Sequence, residues 1–155
     1  MNRVAVNTEY APLPGWEKAL KKYALDTLAF LGKDAWDLSI LLCGDTAIAA
    51  LNRQYRGKSQ ATDILSFSQN EGQEFPLAGG RRAAGDLVIS LDTLRKNARR
   101  LGLSEDEELR RLLIHGILHL DGMNHRTNKA QEPMLQLQER VLHELRGRHI
   151  IGRNA

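Results

Sequence analysis

Hydrophobic residues follow two different spacings along the chain, and these predict a mixture of strands and helices. Short apolar runs such as WDLSILLC at 36–43 are typical of strands, whereas apolar residues three or four apart indicate helices. Strands are predicted at 4–7, 36–43, 62–67 and 86–90. Helices are predicted at 16–31, 91–101 and 133–146. Two further helices are predicted, one that begins at a cap at 44–46 and ends at 57, and one that begins at 104 and continues into a histidine-containing stretch. The order β-α-β-α-β-β-α-α-α predicts an α+β or α/β domain in which helices pack on one small mixed sheet.

Local start and stop signals support several of these boundaries. Gly32 and Gly57 follow apolar helical patterns, and glycine is common just after the last turn of a helix. The segment SEDE at 104–107 is a capping box, which is typical of a helix start. The polar segment that contains Pro76 and Gly79-Gly80 lies between two strands and predicts a loop or hairpin connection.

The composition narrows the class of protein without changing this picture. With 155 residues, 42% hydrophobic and 26% charged, the chain is expected to form a single soluble domain spanning 1–155. Cys43 is the only cysteine, so no intrachain disulfide can form, in agreement with a reducing compartment. No N-terminal apolar segment has the length of a signal peptide, and no run approaches a membrane span. We therefore expect a cytoplasmic protein.

The stretch LLIHGILHLDGMNH at 112–125 contains three of the five histidines in the chain. His115 and His119 are four residues apart, so a helix places them on one face with Cβ atoms about 5–6 Å apart. If the helix continued, His125 would lie about 15 Å along the axis from His115. Gly122 stands where the chain must end the helix and turn back, because glycine accepts a positive φ. The spacing therefore predicts that a helix and a turn bring three imidazoles together.

Three converging imidazoles are a suitable donor set for one metal ion. Zinc is the first expectation, with nickel and copper left open. Three protein nitrogens leave a fourth zinc position for water, which is the arrangement of a catalytic site. The alternative is that the histidines are core residues bonded to the backbone. The two histidines are the only polar side chains from Leu112 to Leu120, and a buried imidazole without a partner costs about 1–3 kcal/mol, which favours the metal site.

The position after the first of these histidines argues against one familiar use of such a cage. Metzincin proteases have H-E-x-x-H, and its glutamate acts as the general base on the zinc-bound water. This chain has Gly116 at that position, and glycine can neither accept nor donate a proton. The sequence therefore disfavours peptide hydrolysis by that mechanism, even with a shared cage.

Three segments of the sequence together resemble one known family. They are LNRQYRGKSQATDILSF at 51–67, GDLVIS at 85–90 and HGILHLDGMNH at 115–125. In this order they resemble the signature blocks of the YbeY family of bacterial rRNA maturation factors, which are metal-dependent endoribonucleases. The chain departs from the family pattern at Asn124, where the family commonly has aspartate, and at 58–61, where KSQA lacks a common aspartate and proline.

The resemblance implies a fold, a site and an activity. The fold would be a small α+β domain that is similar to a reduced metalloprotease. His115, His119 and His125 match the family's zinc ligands, and Arg56 matches an arginine that the family needs for activity. The implied function is that of a single-strand-directed, zinc-dependent endoribonuclease, which acts in late maturation of the 3′ end of small-subunit rRNA and in ribosome quality control.

The resemblance also implies partners, and two rival functions stay open beside it. The expected partners are single-stranded RNA or rRNA, the small ribosomal subunit and its assembly factors, among them the GTPase Era. Neither DNA nor a membrane is expected as a partner. One rival function is that of a non-catalytic, metal-stabilised ribosome assembly or RNA-binding factor, since an open coordination position is a capacity and not an activity. The other is that of a metallopeptidase.

The chemistry of RNA cleavage assigns expected roles to individual residues. The planar guanidinium of Arg56 suits bidentate contact with phosphate oxygens, and its alternative role is a surface salt bridge at the helix end. Asp63 and Asp86 could each cap a turn or orient a ligand histidine, and the sequence identifies no general base. His143 and His149 lack ligand spacing and are expected to face solvent.

The charge of the chain is compatible with an RNA partner. Lysine and arginine exceed aspartate and glutamate by 22 − 19 = 3. Basic residues recur at 81–82, 95–96, 99–100 and 110–111, and at Arg146 and Arg148. On one side of the fold they would form an electrostatic track for an RNA backbone, whereas the alternative is a set of solvated helix faces. Because aromatic residues make up only 5% of the chain, few base-stacking platforms are expected.

Overall fold

The computed structural model describes residues 1–9, 13–68 and 82–152, and its strands and helices lie within these ranges. The strands are β1 (Arg3–Thr8), β2 (Trp36–Cys43), β3 (Ile64–Ser68) and β4 (Arg82–Ser90). The helices are α1 (Glu17–Phe30), α2 (Asp45–Arg56), α3 (Leu91–Leu101), α4 (Glu105–Leu120) and α5 (Pro133–Glu144). The element order is the predicted one, although β4 begins at 82 rather than 86. The predicted connection around Pro76 and Gly79-Gly80 lies outside the described residues.

The four strands form one mixed sheet in the order β1-β2-β4-β3. β1, β2 and β4 run parallel to one another, and β3 pairs with β4 in the antiparallel direction. An antiparallel strand at the edge of the sheet distinguishes this fold from an all-parallel α/β sheet. The prediction of an α+β domain with one small mixed sheet is confirmed.

A glycine in β4 lets the edge strand β3 approach closely. Gly85 has a φ of +134°, and an added Cβ would lie 2.2 Å from the carbonyl oxygen of Phe67. The pairing of β2 with β4 also shifts register here, between Asp37 and Leu38. Because a side chain at this position would meet backbone rather than a flexible side chain, the close approach of β3 requires glycine.

Helix α4 begins and ends where the sequence predicts. Ser104 is the N-cap, and its hydroxyl oxygen accepts a hydrogen bond from the backbone N–H of Glu107 at 3.0 Å. At the other end the helix stops at Leu120, and Gly122 adopts a φ of +90° in the turn that follows. The turn reverses the chain and directs the next residues back toward the helix.

Gly116 lets the middle of α4 rest directly on the sheet. An added Cβ would lie 2.7 Å from Cδ1 of Ile64 in β3 and 2.8 Å from Cδ2 of Leu87 in β4. These distances are shorter than side-chain packing allows, so a larger residue would have to displace the ends of both side chains. The contact fixes α4 at close range to the edge of the sheet that contains β3.

The main core lies between the sheet and helices α1, α4 and α5. Leu28 of α1, Leu113 and Ile117 of α4, and Val141 of α5 are fully buried in it. A smaller cluster packed with residues of α2 contains Cys43, Ile48, Leu65 and Val88. None of the helices in the described ranges is both long enough and apolar enough to cross a membrane.

Candidate active site

The three predicted histidines come together at the C-terminal end of α4. Ring centroids are 4.6 Å apart for His115 and His119, 5.3 Å apart for His115 and His125, and 5.8 Å apart for His119 and His125. One nitrogen from each ring lies within 4.8 Å of the other two. A single metal ion with ligand distances of about 2.0–2.1 Å can span a group of this size with small ring adjustments.

Each imidazole is oriented by an oxygen acceptor at its Nδ1 atom. These acceptors are Oε1 of Gln138 for His115 at 2.6 Å, the carbonyl oxygen of Met123 for His119 at 3.0 Å, and the carbonyl oxygen of Thr127 for His125 at 2.9 Å. Because amide and carbonyl oxygens only accept hydrogen bonds, each Nδ1 has the proton and each Nε2 presents a lone pair. The Nε2 atoms of His115 and His119 face each other at 3.0 Å. Two lone pairs at this distance repel each other unless a cation lies between them, so the donor set fits a metal ion.

A chain of hydrogen bonds fixes the side-chain amide that holds His115. Arg111 donates to both carboxylate oxygens of Glu139, from Nε to Oε2 at 2.9 Å and from Nη2 to Oε1 at 3.0 Å. Oε2 of Glu139 also accepts from Nε2 of Gln138 at 3.1 Å. The amide nitrogen of Gln138 therefore faces the carboxylate, and the amide oxygen faces His115. Arg111, Glu139 and Gln138 together determine which ring nitrogen of His115 is free for a ligand.

The environment also favours the neutral form of the two helical histidines. Burial lowers the pKa of His115, and the hydrogen bond to Gln138 partly opposes this effect. Burial, followed by the charge of His115, lowers the pKa of His119. Because a metal ion binds neutral imidazole, both rings are ready to act as ligands at neutral pH.

The histidines line a cavity of about 960 Å³ that α4 shares with β3 and the end of α2. Its charged lining residues, besides the histidines, are Arg56, Lys58, Asp63, Glu108 and Arg111. The cavity therefore contains both the predicted metal ligands and the predicted catalytic arginine, although they are more than fifty residues apart in the chain. Arg111 is paired with Glu139, and the other two cations, Arg56 and Lys58, suit a phosphate group beside a metal-binding cluster.

Arg56 is the last residue of α2, and its guanidinium lies against β3. Nη2 donates to the carbonyl oxygen of Ser66 at 2.7 Å, and Cζ lies 5.4 Å from the ring centre of Phe67. Among the described residues no acidic side chain forms a salt bridge with Arg56, so this part of the structure gives no support to a surface ion pair at the helix end. A guanidinium has five N–H donors, and most of these stay available for a ligand.

Two polar residues of the site were not found from the sequence. Gln138 lies on the buried face of α5, four residues after Met134 and four before Leu142, so a polar residue within an apolar stripe was its signal. Glu108 lies seven residues before His115 and therefore on the histidine face of α4. It is only 7% exposed, and its Oε2 has no hydrogen-bond partner among the described residues. Burial, followed by the negative charge of Asp63, raises the pKa of Glu108.

The two aspartates considered as histidine partners do not occupy the Nδ1 positions. Asp63 accepts from the backbone N–H of Ile64 at 2.8 Å and from Asn97 at 3.4 Å, so it stabilises the turn that leads into β3. Asp86 lies in β4, where it is the pairing partner of Phe67. A turn-capping role for Asp63 is the alternative that the structure supports.

Expectations for the outlying histidines and basic residues are only partly met. His143 and His149 are both exposed, as expected, although Nδ1 of His149 also lies 3.0 Å from the carboxylate of Asp106. Arg110 is buried and pairs with Asp106 at 2.9 Å, so it cannot contribute to a surface track. Ion pairs also involve Arg95 with Glu105, Lys96 with Asp45, Arg111 with Glu139, and Arg148 with Asp26. Much of the expected basic track is therefore neutralised, and the side chains at 81–82 lie outside the described part.

Comparisons with known proteins agree with this geometry. The family model described as endoribonuclease YbeY matches residues 6–146. A protein named endoribonuclease YbeY from Treponema pallidum (strain Nichols) is 43% identical over 143 residues, which cover 92% of this chain and 89% of the relative. A protein of the same name from Persephonella marina is 40% identical over 147 residues, 94% of each chain. The solution structure of TM1509 from Thermotoga maritima is similar with a TM-score of 0.61 and 25% identity, over 95% of this chain and 93% of that one.

Proposed function

Because this chain belongs to the YbeY family of endoribonucleases, we propose that it is a zinc-dependent enzyme that cuts single-stranded RNA. In this proposal His115, His119 and His125 are the metal ligands, and Arg56 is a catalytic residue. The observation that carries it is the convergence of three imidazole lone pairs in a cavity that Arg56 also lines.

The three histidines would hold the metal ion through their Nε2 atoms. When bound, zinc supplies a Lewis acid and lowers the pKa of a coordinated water. The acceptors on the Nδ1 atoms keep the rings in the correct tautomer and orientation, which is the usual task of groups behind metal ligands. Nickel and copper would suit the same donor set, so the choice of zinc rests on the preference of imidazole-only sites.

Arg56 would bind the phosphate group and stabilise the negative charge that develops on its oxygens during cleavage. One Nη2 donor holds the guanidinium against Ser66, and the remaining donors are available for the phosphate. Lys58 lines the same cavity and adds a second cation, as a point charge without the planar fork of arginine. Because the metal site and Arg56 lie in one cavity, a single phosphate group could contact both.

We further propose that the natural substrate is ribosomal RNA near the 3′ end of the small-subunit rRNA. The enzyme would work in the cytoplasm with the small ribosomal subunit and assembly factors such as the GTPase Era, in rRNA maturation and ribosome quality control. Family membership supports this assignment. In cells that lack the protein, 3′-extended small-subunit rRNA should accumulate, and the wild-type gene but not the Arg56→Ala gene should remove it. Normal rRNA ends in the deletion strain would contradict this assignment.

The direct test is cleavage of an end-labelled single-stranded RNA by purified protein. Wild type, Arg56→Ala and His119→Ala are compared, with bound metal quantified in each. The matched control is Arg3→Ala, which removes an exposed arginine from β1 at the opposite edge of the sheet. Wild type and Arg3→Ala should cut, Arg56→Ala should keep its metal and lose cutting, and His119→Ala should lose both. A DNA of the same sequence should stay intact.

The other outcomes distinguish the rival functions. If all variants cut RNA equally, the activity belongs to a contaminating nuclease and the proposal fails. If none cuts but wild type binds metal and RNA, the protein is a metal-stabilised assembly factor. Cleavage of an unstructured protein by wild type would indicate a metallopeptidase. That function has little support, because Gly116 occupies the position of the general-base glutamate and can neither accept nor donate a proton.

A further inference from the structure

An exposed aromatic ring stands beside the cavity at the end of α2. Tyr55 precedes Arg56 and is 59% exposed, although a large ring is usually more buried. The ring packs edge to face with Phe67, with centroids 5.2 Å apart and planes inclined by 63°. Phe67 in turn lies under the guanidinium of Arg56. These contacts hold Tyr55 in one place while leaving much of its ring open to solvent.

Within the described part of the chain, the charged side chains nearest to Tyr55 in sequence are cations. Arg53, Arg56 and Lys58 are exposed, and none of them forms a salt bridge within the described ranges. This differs from α3 and α4, where Lys96 and Arg111 are matched by carboxylates. An open aromatic ring among free cations is the combination that binds single-stranded nucleic acid, because the ring stacks on a base while the cations contact phosphates.

The position of this surface relative to the cavity suggests a path for the strand. Arg56 and Lys58 line the main cavity and also a second cavity of about 400 Å³, which lies between α2 and the segment that precedes β3. A phosphate held by Arg56 would therefore sit between the two spaces. On one side of that phosphate, the RNA strand would run from the histidine cluster past the end of α2, where Tyr55 lies.

We propose that Tyr55, backed by Phe67 and Arg56, is a stacking platform for a nucleobase that flanks the phosphate bound at the histidine cluster. The inference rests on the proposed function, since it takes single-stranded RNA as the occupant. It gives the site a contact that tolerates any base, with a modest preference for purines, because every base offers a flat face to an aromatic ring. It also adds to the expectation that stacking platforms are few: the composition permits few, and one of them lies next to Arg56, which lines the cavity.

The test measures binding rather than cleavage, by fluorescence anisotropy immediately after mixing. The ligands are two labelled RNA octamers, oligo(A) and oligo(U), and an octamer of abasic ribose phosphate with the same charge. The variants are Tyr55→Ala, which removes the ring, and Tyr55→Phe, which keeps it. The control Phe30→Ala removes an aromatic ring of α1 that is 39% exposed and lines neither cavity. Thermal unfolding of each variant checks that the fold is retained.

Wild type should bind oligo(A) more tightly than the abasic octamer, and oligo(U) should lie between them because pyrimidines stack less strongly. Tyr55→Ala should reduce the preference for oligo(A) by about fivefold or more, the lower end of what a base–aromatic stack contributes. Its affinity for the abasic octamer should stay within about twofold of wild type. Tyr55→Phe and Phe30→Ala should both behave as wild type.

Two results would overturn the platform. One is equal binding of oligo(A) by wild type and Tyr55→Ala. The other is an equal loss of oligo(A) and abasic binding in Tyr55→Ala, which would mean that Tyr55 only supports the positions of Phe67 and Arg56. If either result is found while wild type still cleaves RNA, only the platform is refuted and the proposed function stands. A wild type that binds oligo(A) through Tyr55 without cutting RNA would refute the nuclease assignment alone.

Discussion

Helix α4 has a polar cluster at each end, and the two clusters differ in how their hydrogen-bonding atoms are matched. At the N-terminal end Asp106 is buried and accepts four hydrogen bonds. The donors are the backbone N–H groups of Ile150 at 2.7 Å and Ile151 at 2.8 Å, Nε of Arg110 at 2.9 Å and Nδ1 of His149 at 3.0 Å. At the C-terminal end three imidazoles turn their Nε2 lone pairs toward one another.

The difference separates a structural cluster from a ligand site. A buried polar group normally finds its partner within the protein, and Asp106 does so with every lone pair direction used. Burial alone would raise the pKa of Asp106, but the bonds from His149, Ile151 and Ile150 and the charge of Arg110 hold that pKa below its usual value. The histidine cluster is satisfied on its outer side and unsatisfied at its centre. An acceptor-only centre of this kind is completed by something outside the chain.

The largest effect is expected from Asp106→Ala. The substitution leaves Arg110 buried without its carboxylate, so the free energy of unfolding should fall by about 3–5 kcal/mol. The metal content of the folded fraction should not change. Denaturant unfolding and metal quantification check both points. Asp26→Ala, which removes the carboxylate that pairs with the half-exposed Arg148, is the control and should cost less than about 1 kcal/mol. Loss of metal in Asp106→Ala would mean that the two ends of α4 are not independent.

Metal should stabilise the protein through the histidine end alone. Zinc at about 100 times its dissociation constant should raise the free energy of unfolding of wild type by about 2.7 kcal/mol. Thermal unfolding with zinc and with a chelator measures the difference, which should vanish in His119→Ala and persist in the milder Asp106→Asn. Equal stabilisation of His119→Ala would place the metal at another site.

Breaking the support of His115 should weaken metal binding without removing a ligand. Gln138→Leu deletes the acceptor for Nδ1, and we expect metal affinity to fall about 10- to 100-fold. Competition with a chromophoric chelator gives the affinity. Gln136→Leu changes an exposed glutamine on the same helix and serves as the control. If Gln138→Leu bound metal as tightly as wild type, the hydrogen-bond chain through Arg111 and Glu139 would have no role in the site.

The smallest effect concerns Glu108, whose pKa shifts in the opposite direction from that of its neighbour Asp106. A raised carboxyl pKa means that the folded state holds the proton more tightly, so this group destabilises the fold as the pH rises above its unfolded pKa of about 4.3. A carboxyl group with a lowered pKa, such as Asp106, stabilises the folded state at pH values above its unfolded pKa. This stabilisation is lost as the pH falls through the pKa of the folded state. Glu108→Gln should therefore stabilise the protein by about 1 kcal/mol at pH 7 and by less at pH 4.

Urea unfolding of wild type and Glu108→Gln across this pH range measures that difference. Asp106→Asn should show the opposite pH dependence. Its loss in free energy of unfolding should be greatest at neutral pH and smaller in acid. Should the gain from Glu108→Gln be the same at both pH values, the carboxyl group would be titrating at its ordinary pKa and would not be desolvated in the cavity.

The parts of the site that lie close together in the chain could be predicted from the sequence. His115, His119, Gly122 and His125 fall within eleven residues, so helix geometry and one glycine determine how they meet. The element order could also be predicted, because the apolar patterns differ in spacing and several of them have a clear start or stop signal. β4 was assigned too short, since a bulge at Gly85 interrupts its pattern and its first residues depend on pairing with β2.

The parts that depend on distant contacts could not be predicted without the family resemblance or the structure. Gln138 reaches His115 only because α5 packs on α4. Arg110 resembled a surface cation, and only the return of residues 149–151 to Asp106 buries it. Tyr55 was an ordinary member of a helical pattern until the pairing of β3 with β4 placed Phe67 beneath it.

Gly116 has a consequence for the spacing of positive charge. α4 contains His115 and His119, and β3 contains both Ile64, which packs against Gly116, and Ser66, whose carbonyl oxygen positions Arg56. The packing of Gly116 against Ile64 thus helps to determine how closely the helical histidines and the Arg56 guanidinium approach each other. A methyl group at 116 would displace the side-chain ends of Ile64 and Leu87 and disturb this packing, even in a protein that still folds. The absence of a side chain at Gly116 therefore keeps the helix that holds two of the histidines at close range to the strand that positions Arg56.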